Sequence, residues 1–498
     1  MDLLDEIIMR TDSFISEKSK TDRKKIGQFF TDKKTAIFMA SLFDFSKCDE
    51  TISVLDPGTG SGILSAGFVE IAKKNGIQKI NLTFVENNED VLELLKSNIE
   101  LFENIEGMSL SVTVLEKNYI TSQNQNFSED FSELQFDFII SNPPYLKISR
   151  NAPETFGMES IIHGAPNLYF LFITLSIFNL KNEGELVYIV PRSWTSGAYF
   201  TKFRTYFFSQ GYLMHVHLFA SRSKSFEKEN ILQETMIIKF KKTKKIQTEL
   251  KISSSSSAQF NDIYENSVNY NLAVNGENKY LFLPIEEYQT HVLEILHQFN
   301  NNLIDFGIKL KTGVTVDFRN RNLLREFETA ETIPLIYSSN FVNGMVNFPI
   351  NHEKFQYLVP EHKSLAQENK DYLMLKRFSS KEEKRRLQPA IYISDTVNSE
   401  KISTDNKINF IERIDKQPID REILYGLYVL FSSTVYDDYY RILNGSTQVN
   451  ATEINNMPVP SFEQIRELGT AIIKQKDIST LVADNVLNNF LKDVGKNA

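Results

Sequence analysis

Between residues 50 and 240, short runs rich in β-branched and aromatic residues alternate with helical stretches. Seven of these runs are strand candidates, and they cover residues 52–56, 80–86, 110–115, 136–141, 185–190, 212–219 and 234–240. Strands that alternate with helices form a parallel sheet with helices on both faces. Only a polar loop separates the last two runs, so we expect them to pair as an antiparallel hairpin at the edge of that sheet. The chain therefore predicts an α/β domain.

A chain of 498 residues is too long for one ordinary hydrophobic core, which predicts two domains. The polar segment at residues 241–260 has four lysines in its first five positions and five consecutive serines later. Such a composition resists burial and indicates a domain boundary or a surface loop. Beyond it the periodicity is irregular, with clearer helices around residues 421–443 and 461–475. We therefore expect an α/β domain over residues 1–245 and a mixed α+β domain over residues 246–498.

The composition limits the classes of protein to which the chain can belong. No apolar run approaches the ~20 residues that a membrane-spanning helix needs, and the N-terminus is acidic and amphipathic, unlike a secretory signal. The single cysteine, Cys48, excludes an internal disulfide framework and a cysteine-rich zinc site, and the seven histidines show no metal-ligand spacing. The net charge of -9 does not indicate nucleic-acid binding, but phosphate binding needs only a local basic face. We expect a cytoplasmic protein with no metal and no membrane contact.

A glycine-rich turn, in the sequence VLDPGTGSGIL, follows the first predicted strand. Gly58, Gly60 and Gly62 leave the backbone free to approach a ligand closely. The pattern is not a dinucleotide fingerprint, because Ile63 stands where the third glycine would fall, and no P-loop lysine follows. Asp56, at the end of the strand, is placed to contact a polar ligand group such as an ammonium. A plain tight turn is the alternative interpretation of the glycines alone.

The next two predicted strands also end in polar or aromatic side chains, at the same edge of the sheet. Glu86 ends the second strand, where related folds place an acid that binds ribose hydroxyls in bidentate fashion. Alone it would be interpreted as a solvated acid, but the glycine turn upstream favours a ligand. Asn118 and Tyr119 follow the third strand and are placed to contact the edge and the face of an adenine ring.

The fourth predicted strand ends in the sequence SNPPY, at residues 141–145. The two prolines fix φ and supply no N–H, so the carbonyls of Asn142 and Pro143 stay free of turn bonding. The amide oxygen of Asn142 and a backbone carbonyl are two acceptors that suit an NH2 group. Tyr145 provides a flat face on which a planar ring can stack. A rigid turn with a buried asparagine is the alternative.

The Asn142–Tyr145 motif, with the glycine turn and Glu86 before it, resembles that of the S-adenosylmethionine-dependent amino-methyltransferases. Residues 27–43 resemble the N-terminal cofactor motif of the gamma-class N6-adenine DNA methyltransferases. Residues 311–321, 375–392 and 444–461 resemble segments of bacterial restriction-modification adenine methylases of the PstI/BsuBI type. The resemblance implies a Rossmann-like methyltransferase sheet followed by a target-recognition domain. Two departures are Asn118, where the family usually has Asp, and Asp32, where it has Pro and where we expect a helix cap.

The resemblance also implies a reaction: transfer of a methyl group from S-adenosylmethionine to a flipped adenine in double-stranded DNA. Asn142 and the Pro143 carbonyl would hold the amine, and Tyr145 would stack on the base. Phe226, in the loop between the last two strands, would be the second stacking aromatic, with Phe219 as the competing choice. The implied cofactor residues are Phe30, beside Phe29, and Thr31, Asp56, Gly58, Gly60, Glu86, Asn118, Tyr119 and Asn142.

Basic residues in two parts of the chain are candidates for DNA contacts. They are Arg222 and Lys224 (near Lys228) in the loop after residue 219, and Arg319, Arg321, Lys376, Arg377 and Arg385 in the second half. Arginine beside Asn320 suits the reading of guanine and adenine edges. A solvated charged face is the alternative interpretation. Trp194 is interpreted as a packing residue near the pocket.

The expected function is therefore that of a stand-alone, site-specific adenine DNA methyltransferase of a bacterial restriction-modification system. A cognate restriction endonuclease would act as a separate protein, because only 26 residues precede the first cofactor motif. We expect a monomer or a homodimer, and the resemblance hints at CTGCAG as the target. The alternatives are a methyltransferase acting on RNA or on a protein glutamine, and a non-catalytic DNA specificity subunit.

Overall fold

The computed structural model describes residues 2–17, 30–219, 234–351, 354–380, 383–445 and 447–496. The chain divides into two units, Met1–Glu287 and Tyr288–Ala498. Within the described residues, no helix is long and apolar enough to cross a membrane.

A nine-stranded sheet forms the centre of the first unit. Its strands are β1 (Thr51–Pro57), β2 (Lys79–Glu86), β3 (Ser109–Glu116), β4 (Phe136–Ser141), β5 (Leu180–Pro191), β6 (Tyr212–Phe219), β7 (Thr235–Lys241), β8 (Glu249–Ser255) and β9 (Tyr264–Asn269). Their order is β3-β2-β1-β4-β5-β7-β6-β8-β9. Strands β1 to β5 are parallel, and β7 is antiparallel to both β5 and β6. The predicted parallel sheet with an antiparallel pair is confirmed.

The pair of β6 and β7 does not lie at the edge of the sheet as the sequence predicts, because β8 and β9 continue the sheet beyond β6. The first three serines of the run, residues 253–255, belong to β8. The predicted boundary after residue 245 falls inside the first unit. Ser253 Oγ lies 2.7 Å from His215 Nε2 and 2.8 Å from His217 Nδ1, and Ser255 Oγ lies 3.0 Å from His217 Nε2. These hydrogen bonds allow a polar strand to be buried. Burial lowers the pKa of His215 to about 4 and that of His217 to about 3, so both rings are neutral at pH 7.

Helices cover both faces of the sheet. Consecutive side chains of a strand point to opposite faces, and Val54 and Leu55, which are consecutive in β1, belong to different core clusters. The helices are α1 (Leu3–Glu17), α2 (Lys33–Ser41), α3 (Ile63–Lys74), α4 (Glu89–Glu103), α5 (Asn124–Ser128), α6 (Leu168–Phe178), α7 (Thr201–Gln210) and α8 (Tyr270–Ala273), and the short strands β10 (Val274–Asn275) and β11 (Tyr280–Leu281) pair with each other. Helices α1 to α4 pack on one face, and α6 and α7 pack on the other. Gly67 lets α3 approach α2 closely, since a Cβ there would lie 3.2 Å from the Ala36 carbonyl.

The second unit combines two small sheets with helices. The elements are α9 (Glu287–Leu296), β12 (Ile308–Thr312), β13 (Leu324–Arg325), β14 (Ile333–Ile336), β15 (Phe341–Val342), β16 (Met345–Val346), β17 (Tyr357–Leu358), β18 (Gln367–Glu368), β19 (Tyr372–Lys376), β20 (Pro389–Tyr392), β21 (Lys401–Thr404), β22 (Ile408–Arg413), α10 (Arg421–Ser432), α11 (Thr434–Leu443), α12 (Ala451–Asn455), α13 (Phe462–Ile473) and α14 (Thr480–Lys496). The sheet orders are β12-β22-β19-β20-β16-β15 and β13-β17-β14-β21-β18. The predicted α+β character is confirmed. The helix predicted over residues 421–443 is interrupted at Ser433, whose side chain caps α11.

Candidate active site

A cavity of about 410 Å³ lies in the first unit, where β1 to β4 end. Eight of the nine predicted cofactor residues line it, namely Phe30, Thr31, Gly58, Gly60, Glu86, Asn118, Tyr119 and Asn142. Its size is suited to a nucleoside-sized ligand. The ends of four adjacent parallel strands bring these residues together although they are far apart in the sequence.

The turn after β1 has a shape that requires glycine. Gly58 and Gly62 have φ values of 72° and 92°, in the left-handed region that disfavours side chains. A Cβ on Gly58 would lie 3.3 Å from the ring of Phe172, which lines the cavity. The N–H of Gly58 donates to the Val85 carbonyl at 2.8 Å and fixes the turn against the end of β2. The turn therefore brings the backbone of Gly58 and Gly60 to the cavity.

Glu86 is 7% exposed and fixes the turns on both sides of the cavity. Its Oε2 accepts from the N–H of Gly60 at 2.9 Å, and its Oε1 accepts from the N–H groups of Asn87 and Asn88 at 2.9 Å each. A carboxylate offers about four acceptor sites, so about one is left for a ligand hydroxyl. The sequence predicts that Glu86 accepts from both ribose hydroxyls. For that, one of its acceptor sites would have to be shared between a hydroxyl and a backbone N–H.

Asn118 and Tyr119 follow β3, and their side chains are held by the protein. Asn118 Oδ1 accepts from the N–H groups of Ile120 and Thr121 at 3.0 and 3.1 Å, and its Nδ2 donates to Glu154 Oε1 at 3.1 Å. The ring of Tyr119 lies 5.2 Å from that of Phe172 between centroids. Sequence analysis did not identify Glu154 or Phe172, which both line the cavity. Phe172 belongs to a helix that is apolar on every side, so no periodicity distinguishes the ligand face from the core face.

Asp56 is the one predicted cofactor residue outside the cavity lining, and it lies buried behind the glycine turn. Its Oδ2 accepts from the Ser65 hydroxyl at 2.7 Å, while Oδ1 has no hydrogen-bond partner among the described residues. Burial, with a smaller contribution from the nearby Glu86 carboxylate, raises the pKa of Asp56 to about 8, although the hydrogen bond from Ser65 acts in the opposite direction. Asp56 therefore connects the turn to α3 through Ser65.

The Asn-Pro-Pro-Tyr turn borders the same cavity through Asn142 and Pro144. The Nδ2 of Asn142 donates to Thr31 Oγ1 at 3.2 Å, and the Tyr145 hydroxyl lies 2.9 Å from both Asn142 Oδ1 and the Ile189 carbonyl, to either of which it can donate. The half-buried ring of Tyr145 packs edge-on against that of Tyr169, at 6.4 Å between centroids. The amide of Asn142 is thus held at both ends, by residues that precede and follow it in the chain.

The architecture agrees with what comparisons with known proteins show. The model of the Eco57I restriction-modification methylase family matches residues 64–226. The Type II methyltransferase M.BsuBI of Bacillus subtilis is 31% identical over 96% of both chains, and M.PstI of Providencia stuartii is 32% identical over 98% of this chain and 97% of its own. The chain belongs to this family of Type II methyltransferases. It is therefore an S-adenosylmethionine-dependent DNA methyltransferase of a restriction-modification system.

A solved structure supports the fold over the whole length. The Type IIL restriction-modification enzyme MmeI, determined in complex with DNA, has a TM-score of 0.54 and 12% identity over 99% of this chain and 74% of its own. The glycine turn and the carboxylate of Glu86 at the cavity fit S-adenosylmethionine, because bare backbone and an acid at the second strand suit a nucleoside ligand. These relatives do not support the alternatives of an RNA substrate, a protein substrate or a non-catalytic subunit.

Several predicted residues of this Type II methyltransferase lie outside the described residues: Phe29, Arg222, Lys224, Phe226 and Lys228. The competing stacking candidate, Phe219, is 2% exposed and packs against Phe260 at 5.8 Å between ring centroids. Trp194 is fully buried and packs against Phe207 at 5.1 Å.

In the second unit of the methyltransferase, the predicted basic residues differ in how far they are available to a ligand. Arg319 and Arg321 are exposed, and Arg377 is half-buried. Lys376 pairs with Glu383 at 3.0 Å. Arg385 Nη2 donates to the Ser433 carbonyl at 2.6 Å.

Proposed function

We propose that this Type II methyltransferase transfers the methyl group to N6 of an adenine that is flipped out of duplex DNA. The modification would protect that DNA from a cognate restriction endonuclease. The observation that supports the proposal is the amide of Asn142, which borders the cofactor cavity and is held by the hydroxyls of Thr31 and Tyr145. S-adenosylmethionine supplies an activated methyl group when it is bound.

The residues around the amide account for the activation of a weak nucleophile. An amide oxygen has two lone pairs, so Asn142 Oδ1 can accept from Tyr145 and from one hydrogen of the adenine amine. The Pro143 carbonyl accepts the other hydrogen. Two acceptors draw the amine toward a pyramidal geometry, localise its lone pair and stabilise the positive charge that develops on nitrogen. The proton leaves late, to water.

A base inside a duplex cannot reach this cavity, so the adenine must be flipped out. Stacking on the ring of Tyr145 would offset part of the unstacking cost, since base–aromatic stacking contributes ~1–3 kcal/mol. Phe226 is the proposed second aromatic. Phe219 is disfavoured, because its ring is committed to the core.

Glu154 extends the proposed cofactor site. The family usually has Asp at position 118, and the carboxylate of Glu154 lies 3.1 Å from the Asn118 amide and lines the cavity. We therefore assign to Glu154 the contact with the exocyclic amine of the cofactor adenine, with Asn118 holding the carboxylate in place. Glu86 binds the ribose, and Asp56 supports the turn from behind.

The DNA-reading surface of the second unit is proposed around Arg319 and Arg377. Each guanidinium lies over an exposed ring, Phe318 at 5.6 Å and Phe378 at 5.4 Å. The two arginines belong to one surface, because Arg377 Nη1 donates to the Asn406 carbonyl at 3.0 Å, and the next residue along, Lys407, pairs with Asp317 at 3.5 Å. Arg321 adds a further exposed cation, and Arg222 and Lys224 are proposed as backbone contacts. Lys376 and Arg385 are weaker candidates, since both are engaged within the protein.

Analysis of methylated nucleosides tests the proposal. The purified protein is incubated with S-adenosylmethionine and with duplex DNA, RNA or cell protein, and the nucleosides are separated by mass spectrometry. We expect N6-methyladenine in DNA alone, and direct sequencing should then locate it, with CTGCAG as the expected site. Methylcytosine in DNA, or methyl transfer only to RNA or protein, would refute the proposed function.

A further inference from the structure

Three exposed side chains form a cluster beside the Asn-Pro-Pro-Tyr turn: Lys147, His163 and Tyr199. The Nζ of Lys147 lies 5.9 Å from the centre of the Tyr199 ring, and the His163 ring lies 5.9 Å from it between centroids. Tyr199 is 60% exposed. Among the described residues, no carboxylate pairs with Lys147 or His163. The cluster thus presents a cation and an aromatic face to solvent without an internal counter-charge.

The backbone connects this cluster firmly to the catalytic turn. Lys147 follows Tyr145 by two residues and forms an antiparallel bridge with Asn167. On either side of that bridge, the Ile148 N–H donates to the Pro166 carbonyl at 2.8 Å, and the Leu168 N–H donates to the Leu146 carbonyl at 2.9 Å. The ammonium is therefore carried on a paired segment and not on a free loop.

The position of Tyr199 is fixed as well. Gly164 has a φ of 76°, and a Cβ there would lie 3.0 Å from the Tyr199 ring, so glycine is required for the close approach. The next residue, Phe200, is buried and packs against Tyr169 at 6.1 Å, and Tyr169 contacts Tyr145 at 6.4 Å. The peptide bond from Tyr199 to Phe200, followed by the two ring contacts Phe200–Tyr169 and Tyr169–Tyr145, thus joins the residue with the exposed ring to the ring proposed to stack on the flipped base.

We propose that Lys147 and Tyr199 bind the DNA strand that carries the target adenine, directly beside the flipped nucleotide. The inference rests on the proposed function, because a base held at Tyr145 brings its neighbouring phosphates next to Lys147. The ammonium contacts a phosphate, and the exposed ring packs on the adjoining sugar or base. His163 borders the Tyr199 ring.

The salt dependence of DNA binding tests this assignment. Affinity for a fluorescein-labelled duplex is measured by anisotropy between about 50 and 200 mM salt, where each neutralised phosphate contributes a slope of about 0.9 in log K against log salt. We expect Lys147→Gln to lower the slope by about that amount. The control is Lys79→Gln, which makes the same charge change at the amino end of β2, at the opposite edge of the sheet, and should leave the slope unchanged.

The contribution of the Tyr199 ring is tested by Tyr199→Leu. This variant should bind the duplex about 5-fold to 150-fold more weakly, which is the range expected for lost stacking, with no change in the salt-dependence slope. Thermal unfolding of each variant establishes that it is folded. This inference would be overturned if the wild-type protein methylates adenine in DNA and the Lys147→Gln and Tyr199→Leu variants bind the duplex as the wild-type protein does. That result would leave the proposed function intact. Failure of the wild-type protein to methylate any DNA would refute the proposed function itself.

Discussion

The hydroxyl of Tyr145 can be separated experimentally from its ring. Tyr145→Phe keeps the stacking surface and removes the donor that lies 2.9 Å from both Asn142 Oδ1 and the Ile189 carbonyl. Leaving a buried acceptor without its donor costs ~1–3 kcal/mol, and each ~1.4 kcal/mol corresponds to about tenfold in rate. We therefore expect the rate constant for methyl transfer under single-turnover conditions to fall by about 5-fold to 150-fold. The dissociation constant for S-adenosylmethionine, measured by calorimetry, should stay within about twofold.

Two further variants complete the design. Thr31→Val removes the acceptor of a longer hydrogen bond, at 3.2 Å, so a smaller fall of about 2-fold to 5-fold is expected, and Thr31→Ser should restore the rate. The control is Tyr436→Phe, which removes a buried hydroxyl that donates to the Pro458 carbonyl at 2.9 Å in the second unit; it should lower thermal stability but not the rate of transfer. An unchanged rate in Tyr145→Phe, or an equal fall in Tyr436→Phe, would contradict the role of Tyr145 in orienting the amide.

Three other perturbations have expected outcomes. Asn142→Ala should abolish methyl transfer but leave cofactor affinity nearly intact in calorimetry; a loss of that affinity would place the side chain in a different site. Glu86→Gln should raise the dissociation constant of S-adenosylmethionine by ~10-fold to ~100-fold, because charge-assisted hydrogen bonds contribute ~1.5–3 kcal/mol and the amide can no longer accept from all three N–H groups. His215 and His217 have folded pKa values of about 4 and about 3, below the ~6.5 of the unfolded chain. The unfolded state therefore binds their protons first, and the free energy of unfolding should fall by up to ~2.7 kcal/mol per pH unit as the pH drops from ~6 to ~4. Replacing both histidines with Asn should flatten that part of the curve in urea titrations at several pH values.

The sequence predicts much of the fold, because hydrophobic periodicity and turn residues determine most elements of the first unit. All seven predicted strands are found, and the four polar strand ends are brought together by the parallel pairing of β1 to β4. The serine run of β8 could not be recognised, because its burial depends on hydroxyl partners, His215 and His217, nearly 40 residues earlier in the chain. A polar strand looks like a loop when its hydrogen-bond partners are not local.

The same limitation applies to the site. Gly58, Glu86 and Asn142 are identifiable, since each stands next to a strand end in a recognisable pattern. Glu154 is not, because it lies in a single 3-10 turn, Pro153–Thr155, and becomes relevant only through the Asn118 amide. Asp56 is the reverse case. Its position at a strand end predicts a ligand contact, but in the structure one of its carboxylate oxygens accepts a hydrogen bond from Ser65.

Asn142 and Thr31 are separated by 111 residues in the chain, and their hydrogen bond joins the amide that we propose to hold the target amine to the segment that precedes α2. That segment is anchored by the Asp32 cap of α2 and by the close contact of α2 with Gly67 of α3. It is therefore both a wall of the cofactor cavity and a support of the amide. We therefore expect a protein or ligand that displaced this segment to lower cofactor binding and methyl transfer together.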